Sequence, residues 1–290
     1  MADAVLFHPT NGVKVALSNG NGFDAPSWWT QAAIFKKLSY DAFPRLLADV
    51  NGDGRADAVV FHPTKGVKVA LSKGGRFGSP VWWSQHALFK HPSQDRRPRL
   101  LADMNGDGKV DAVLFHETQG VYVALSNGTR FGKPQLWSNS GAFAKASQKV
   151  DPRLLADVNG DGMADAVVLD HAQGIVVALS TGGGFGQPTV WNSEAAFKRT
   201  DQDEFPRWLA DANGDGMADA ILFHPTNGIR VALSTGTSFA PSTWWTQHNA
   251  WDRATFEADP RLPGDVNGDG AADAVLFHQT KGIRVGLAVE

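Results

Sequence analysis

One nine-residue segment, D-x-N-G-D-G-x-x-D, recurs five times in this 290-residue chain at an interval of 54 residues, beginning at Asp49, Asp103, Asp157, Asp211 and Asp265. A fixed period in this range restricts the fold to a solenoid, a propeller or an array. Oxygen side chains at positions 1, 3, 5 and 9, with glycine at 6 for the sharp turn, suit a hard cation such as calcium. A lone N-G-D-G is also a tight-turn sequence. Three carboxylates within nine residues, however, repel one another unless a cation lies among them.

The expected ligands are side-chain oxygens, with residue 7 offering only its carbonyl. They are Asp49, Asn51, Asp53, Arg55 and Asp57; Asp103, Asn105, Asp107, Lys109 and Asp111; Asp157, Asn159, Asp161, Met163 and Asp165. The last two sets are Asp211, Asn213, Asp215, Met217 and Asp219, then Asp265, Asn267, Asp269, Ala271 and Asp273. This gives about five Ca2+ sites. The loop is not an EF-hand, which needs a bidentate Glu at position 12 between two helices. Here position 12 is Val60, Leu114, Val168, Leu222 or Leu276, inside an apolar run.

The formal charge of −3 is a property of the metal-free chain, because fifteen of its thirty acidic residues lie in these loops. Five divalent ions would raise it by 10, to +7. No basic block points to nucleic acid, and no apolar stretch has the length of a membrane span. The chain has no cysteine, so disulfides contribute nothing. Its N-terminus, Met-Ala-Asp-Ala-Val-Leu-Phe, shows no signal peptide. Loops without a bidentate Glu bind calcium weakly, toward the extracellular range, which favours a secreted or cell-surface location.

Each repeat reads as four short strands. Residues 44–49 form strand A, entering the metal loop, and 58–62 form strand B. Pro63-Thr64-Lys65-Gly66 turns into strand C over 67–72, and strand D runs 77–83 through Pro80. A proline there favours an outer edge. Ala87 to Lys90 suggests a helical turn in the connector. Four antiparallel strands with an edge-like fourth fit a β-propeller blade, so 1–290 is expected to be one all-β propeller domain. Strands B and C occur six times and A and D five times, so six blades with imperfect ends are favoured. The alternative is five blades, closed by pairing the terminal A strand with N-terminal B, C and D. An exposed edge at either end invites pairing with a second copy, a possible homo-oligomer.

The position-specific pattern resembles the FG-GAP/VCBS repeat propellers, whose signature places D-x-N-G-D-G-x-x-D between the first two strands of a blade. The combination P-R-L-L-A-D-V-N-G-D-G-x-A-D, G-V-x-V-A-L-S and F-x-x-P is similar to the mushroom N-acetylglucosamine-binding propeller lectins and their bacterial relatives. Those relatives resemble G-W-R-x-x-x-H-P-R ahead of strand A. This chain has Lys37-Leu38-Ser39-Tyr40-Asp41-Ala42-Phe43-Pro44-Arg45 instead, and Phe-His where they carry Gly-Phe-Gly. The departures leave the sugar open.

In a meander, the metal loops share one rim with the C-to-D turns, and the opposite rim carries the B-to-C turns and the D-to-A connectors. That second rim collects His8, His62, His116, His224 and His278 after strand B, with Asp170 and His171 in the fourth unit. It also collects Trp29, Trp83, Trp137, Trp191 and Trp245; Gln31, Gln85 and Gln247, with Asn139 and Ser193 equivalent; and Arg45, Arg99, Arg153, Arg207 and Arg261. Plain alternatives exist for each: Trp as packing between blades, Arg on neighbouring carbonyls, His as a turn cap. Phe35, Phe89, Phe143, Phe197 and Trp251 read as core anchors. The sharper reading is a sugar pocket repeated between blades, since aromatic faces take sugar C–H groups and planar polar groups take hydroxyls. The expected function is a calcium-stabilised, lectin-like, multivalent propeller whose partners are glycans or glycoconjugates. The alternative is a structural or adhesion propeller that binds protein. Near-identical units leave no unique catalytic set, so an enzyme is not expected.

Overall fold

The computed structural model describes residues 3–20, 22–246 and 258–288. The second repeat shows the unit. Strands β4 (Arg45–Ala48), β5 (Asp57–His62), β6 (Gly66–Ala70) and β7 (Val81–Ser84) pair in that order as one antiparallel sheet. The next three sheets repeat it: β8–β11 over 99–138, β12–β15 over 153–192 and β16–β19 over 207–246. The first sheet has only β1 (Ala4–His8), β2 (Gly12–Ala16) and β3 (Ser27–Thr30). The last has only β20 (Arg261–Gly264), β21 (Asp273–His278) and β22 (Gly282–Gly286).

The ends meet. Ser126, Ser180 and Ser234 each donate from Oγ to a loop carbonyl of the preceding blade, at Val50 (2.6 Å), Met104 (2.8 Å) and Val158 (2.5 Å). Ser18 of the first sheet makes the same bond to Val266 of the last, at 2.9 Å. The first blade therefore stands beside the sixth, and the chain is a six-bladed β-propeller. Strand β20 pairs with β21, in register Arg261 to Leu276, and not with β1. The five-bladed closure is not adopted.

Burial follows from this stacking. Strand β5 is apolar on both faces because both are covered. Ala58 and Val60 pack toward the first blade with Val13, Val15 and Phe35, while Val59 and Phe61 pack toward the third with Ala112 and Leu114. Phe35, Phe89, Phe143 and Phe197 are fully buried, as expected of anchors, and Trp251 lies outside the described residues. The connector turns are short 3-10 segments at Ala33–Phe35 and Ala87–Phe89. The outer strand differs from expectation. It begins at Val81, after Pro80, whereas Phe77 makes an isolated bridge to Ser72. Proline supplies no N–H for the ladder, so regular pairing resumes only beyond it.

Glycine closes each turn between the second and third strands. Gly120 has φ +102°, and a Cβ there would lie 2.0 Å from the Ser138 carbonyl oxygen of its own blade. We expect Gly120→Ala to destabilise the protein by about 1–3 kcal/mol, read as a lower denaturant midpoint. An unchanged midpoint would mean that the turn can be rebuilt without left-handed backbone.

Candidate functional site

The five nine-residue loops sit between the first two strands of blades 2 to 6. Their position-1 carboxylate organises the turn: Asp49 Oδ1 accepts from Gly52 N (2.7 Å) and Oδ2 from Gly54 N (2.6 Å). Asn51 Oδ1 accepts from Asp53 N at 3.2 Å, and Asp53 Oδ1 from Arg55 N at 3.0 Å. The position-9 carboxylate lies deeper. Asp57 is fully buried and accepts from Val50 N (3.2 Å) and Ser72 N (2.7 Å), joining the loop to the end of the third strand. Asp111, Asp165, Asp219 and Asp273 do the same in their blades. Burial pushes the Asp57 and Asp219 carboxyls up to about 6 and those of Asp111 and Asp165 to about 7, and the two loop aspartates beside each add to the rise.

In none of the described loops do the three carboxylates bring one oxygen each within 4.8 Å of the others. Each takes backbone N–H groups instead. The donor set, three carboxylates and an amide oxygen on a glycine-rich turn, is that of a hard divalent cation. Among the described residues, the cluster that does meet this spacing is Asp151, Asp170 and His171. Lys145 Nζ stands 2.5 Å from Asp170 Oδ2, and His171 Nδ1 lies 2.7 Å from Asp151 Oδ1. An ammonium group already balances that pair.

The opposite rim holds the other candidate residues, and it does not bring them into one pocket. Arg99, Arg153, Arg207 and Arg261 are fully buried. Arg153 donates to the carbonyls of Lys145 (2.7 Å) and Asp95 (2.8 Å), and burial pushes its guanidinium down to about 10, still charged near neutrality. Arg45, half-buried, donates to the Lys37 carbonyl at 2.5 Å. Arg99 and Arg153 tie the connectors of adjacent blades together, Arg45 and Arg207 bond carbonyls of their own connector, and the four fully buried arginines have no surface to offer a ligand. Gln94, Gln148 and Gln202 complete the tie by bonding the main chain or guanidinium of the arginine five residues on. Their fixed distance from Pro-Arg was a visible signal that the sequence reading passed over.

The histidines cap turns. His8, His62, His116, His224 and His278 each accept at Nδ1 from the N–H of the threonine two residues on, at 3.2–3.3 Å. A neutral ring so engaged carries its proton on Nε2. Trp29, Trp83, Trp137 and Trp191 meet Phe77, Phe131, Phe185 and Phe239 of the next blade edge-on or tilted, with centroids 5.3–5.6 Å apart. Their main role is interblade packing. Gln31, Gln85, Asn139 and Ser193 are exposed, and Gln247 lies outside the described residues.

Two clefts adjoin this row. A polar notch of about 360 Å³ between blades 3 and 4 is lined by Trp137, Ser138, Asn139, Ser140 and Gln187 among others. A larger apolar cleft of about 540 Å³ lies between blades 5 and 6, beside Trp245. It stands where the other interfaces hold the stacked phenylalanine, so we read it as loose packing against a three-stranded blade rather than a ligand pocket.

Between these features the rim varies from blade to blade. Arg97 binds Glu117 through Nε and, at 3.0 Å, through Nη2. This hydrogen-bonded guanidinium holds the Glu117 carboxyl down at about 2. A depressed carboxyl contributes stability that is complete above its unfolded value, about 4.3, and lost as pH falls toward 2. Glu117→Gln should therefore flatten the acid limb of stability between about pH 4.5 and 2. Parallel melting curves for the two proteins across that window would contradict this.

Solved structures similar to the chain include a lectin and a toxin. A lectin of Agrocybe aegerita, described for specific recognition of non-reducing terminal N-acetylglucosamine, is 28% identical, with a TM-score of 0.76 over 98% of this chain and 76% of its own. The Photorhabdus luminescens Tc holotoxin pore shares 20% identity and a TM-score of 0.61 over 98% of this chain but only 13% of its own. The second likeness shows the propeller fold alone. No protein-family model and no curated protein matches the chain.

Proposed function

We propose that this chain is a non-enzymatic carbohydrate-binding propeller, braced by calcium in its five loops, that meets glycans on the rim opposite them. The observation that carries the reading is the likeness, over nearly the whole chain, to a propeller lectin that recognises a terminal sugar. The notch at Trp137 and Asn139 supports it, because it combines an aromatic wall with exposed amide and hydroxyl groups. A sugar needs both kinds of contact. Equivalent positions around the ring would make binding multivalent, so that weak single sites gain avidity on a glycan-covered surface.

Calcium has a separate role here. Bound among Asp49, Asn51, Asp53, Asp57 and their equivalents, it would neutralise the loop carboxylates, above all in the third, fourth and fifth loops, where residue 7 is Met163, Met217 or Ala271 instead of Arg55 or Lys109. It would hold the loop against the third strand rather than touch the sugar.

Two measurements test these statements independently. On a glycan array the protein should retain a defined set of sugars, and Asn139→Ala, an exposed change, should weaken binding at an unaltered melting temperature. A blank array at high protein concentration, with a partner recovered only by protein pull-down, would favour an adhesion propeller instead. Calcium should raise the melting temperature and chelator lower it, with about 2.7 kcal/mol gained per site at a hundredfold excess over Kd. No shift in either direction would refute the metal.

A further inference from the structure

The outer two strands carry a cross-strand pair that differs between blades. Lys14 faces Trp28, Lys68 faces Trp82 and Arg230 faces Trp244, whereas Tyr122 faces Leu136 and Val176 faces Val190. Directly opposed side chains on one face of a sheet interact. Here each cation lies over its tryptophan ring, at 5.4, 5.0 and 5.4 Å from the centroid. The tryptophan in turn meets the turn-capping histidine edge-on, at 5.8 Å for His8, 6.1 Å for His62 and 5.7 Å for His224.

In blade 2 this arrangement grows into a ladder. Lys37 lies 4.8 Å from the Phe43 ring, Phe43 meets His62 at 5.1 Å, His62 meets Trp82, and Lys68 closes the far end. Lys65 stands exposed in the same turn. Burial and then Lys65, Lys37 and Lys68 all press the His62 ring toward its neutral form, and no carboxylate acts on it. Among the described residues none of these three ammonium groups has a carboxylate or carbonyl partner.

The other blades serve as controls within one chain. Blade 3 has neither lysine nor arginine at these positions (His91, Gln119, Tyr122), and its Arg97, in the place of Phe43, pairs with Glu117; in blade 4 Lys145, in the place of Lys37, pairs with Asp170. Blade 5 repeats the ladder with Arg199, Phe205, His224, Trp244 and Arg230, but Glu194 lies 3.9 Å from Arg230 and the place of Lys65 is taken by Asn227. Blade 6 also carries cations at the repeat positions of residues 37, 65 and 68 (Arg253, Lys281 and Arg284), but Asp259 takes the place of Phe43 and lies 4.0 Å from His278, so blade 2 alone combines the three cations with the Phe43 ring. The blades that neutralise this charge internally show that the fold does not require it to be left open.

We infer that blade 2 bears a site for an acidic sugar, one carrying a carboxylate or a sulfate, lying against the row formed by Phe43, His62 and Trp82 with its anion held by Lys65 and Lys68. This rests on the carbohydrate reading and narrows it. The aromatic rings offer apolar faces to sugar C–H groups, Nε2–H of His62 offers a donor to a hydroxyl, and the ammonium groups give charge-assisted hydrogen bonds to the anion. A neutral sugar would gain only the first two.

The test compares glucose, glucuronic acid and glucose 6-sulfate displayed at equal density, with the full chain in calcium-containing buffer and inorganic sulfate as competitor. At least one acidic form should bind roughly tenfold more tightly than glucose, with a preference that shrinks as salt rises. Lys65→Gln/Lys68→Gln should abolish that preference without changing the melting temperature, while Lys133→Gln, in blade 3, should leave it intact. Preference for the uronate alone or the sulfate alone would identify which anion the site takes. Equal binding of all three sugars, unaltered in the double variant, would overturn the site yet leave the carbohydrate reading standing. Acidic preference that survives the double variant, or inorganic sulfate competing as well as glucose 6-sulfate, would also overturn it. If these surfaces and a broad glycan array are all blank, both readings fall.

Discussion

The hydrogen bonds of the position-9 aspartate are what the rest of the propeller depends on. Asp57 and its equivalents accept from a loop N–H on one oxygen and from the end of the third strand on the other. The serine so held then reaches the preceding blade through its hydroxyl, as Ser126 does to Val50. One buried carboxylate thereby joins loop, sheet and neighbouring blade. Burial raises the Asp57 carboxyl to about 6, and the two neighbouring loop aspartates add to the rise. The first blade has no loop, yet Asp3 accepts from Ser18 N in the same way, and Ser18 closes the ring on Val266.

The two rims do different work because the meander sends successive turns to opposite ends. One rim repeats almost without change, since it must bond its neighbour in the same manner at each step: Val110, Ala164, Ala218 and Ala272 each donate to the position-1 carbonyl of the previous loop. The other rim is tied beneath its surface by buried arginines and glutamines, which leaves its outer layer free to vary. Glu117 and Asp170 occur there at positions where all sister blades carry other residues, and Lys65 at one shared only with Lys281.

Much of the fold was legible in the chain itself. The period, the four strands, the missing inner strand of the first blade and outer strand of the last all follow from residue patterns, as do the phenylalanine anchors. The outer strand was placed too early, at Phe77, because an extended segment and a paired strand have the same composition, and only hydrogen-bond geometry separates them. The candidate site was less legible. Arg99 and Trp83 looked like members of a ligand row, yet one is fully buried on carbonyls and the other packed on Phe131. A repeated residue carries the signature of repeated packing as strongly as that of repeated binding.

The sequence by itself determined the repeat unit and the four strands of a blade and narrowed the count to five or six blades, because these depend on local spacing and on alternation along the chain. The tertiary structure alone decided how the ring closes, which arginines and tryptophans are buried, and which cations meet an aromatic ring without a carboxylate. Those properties depend on which residues 54 positions apart, or on facing strands, come together. Lys68 is unremarkable in sequence until strand pairing sets it over Trp82.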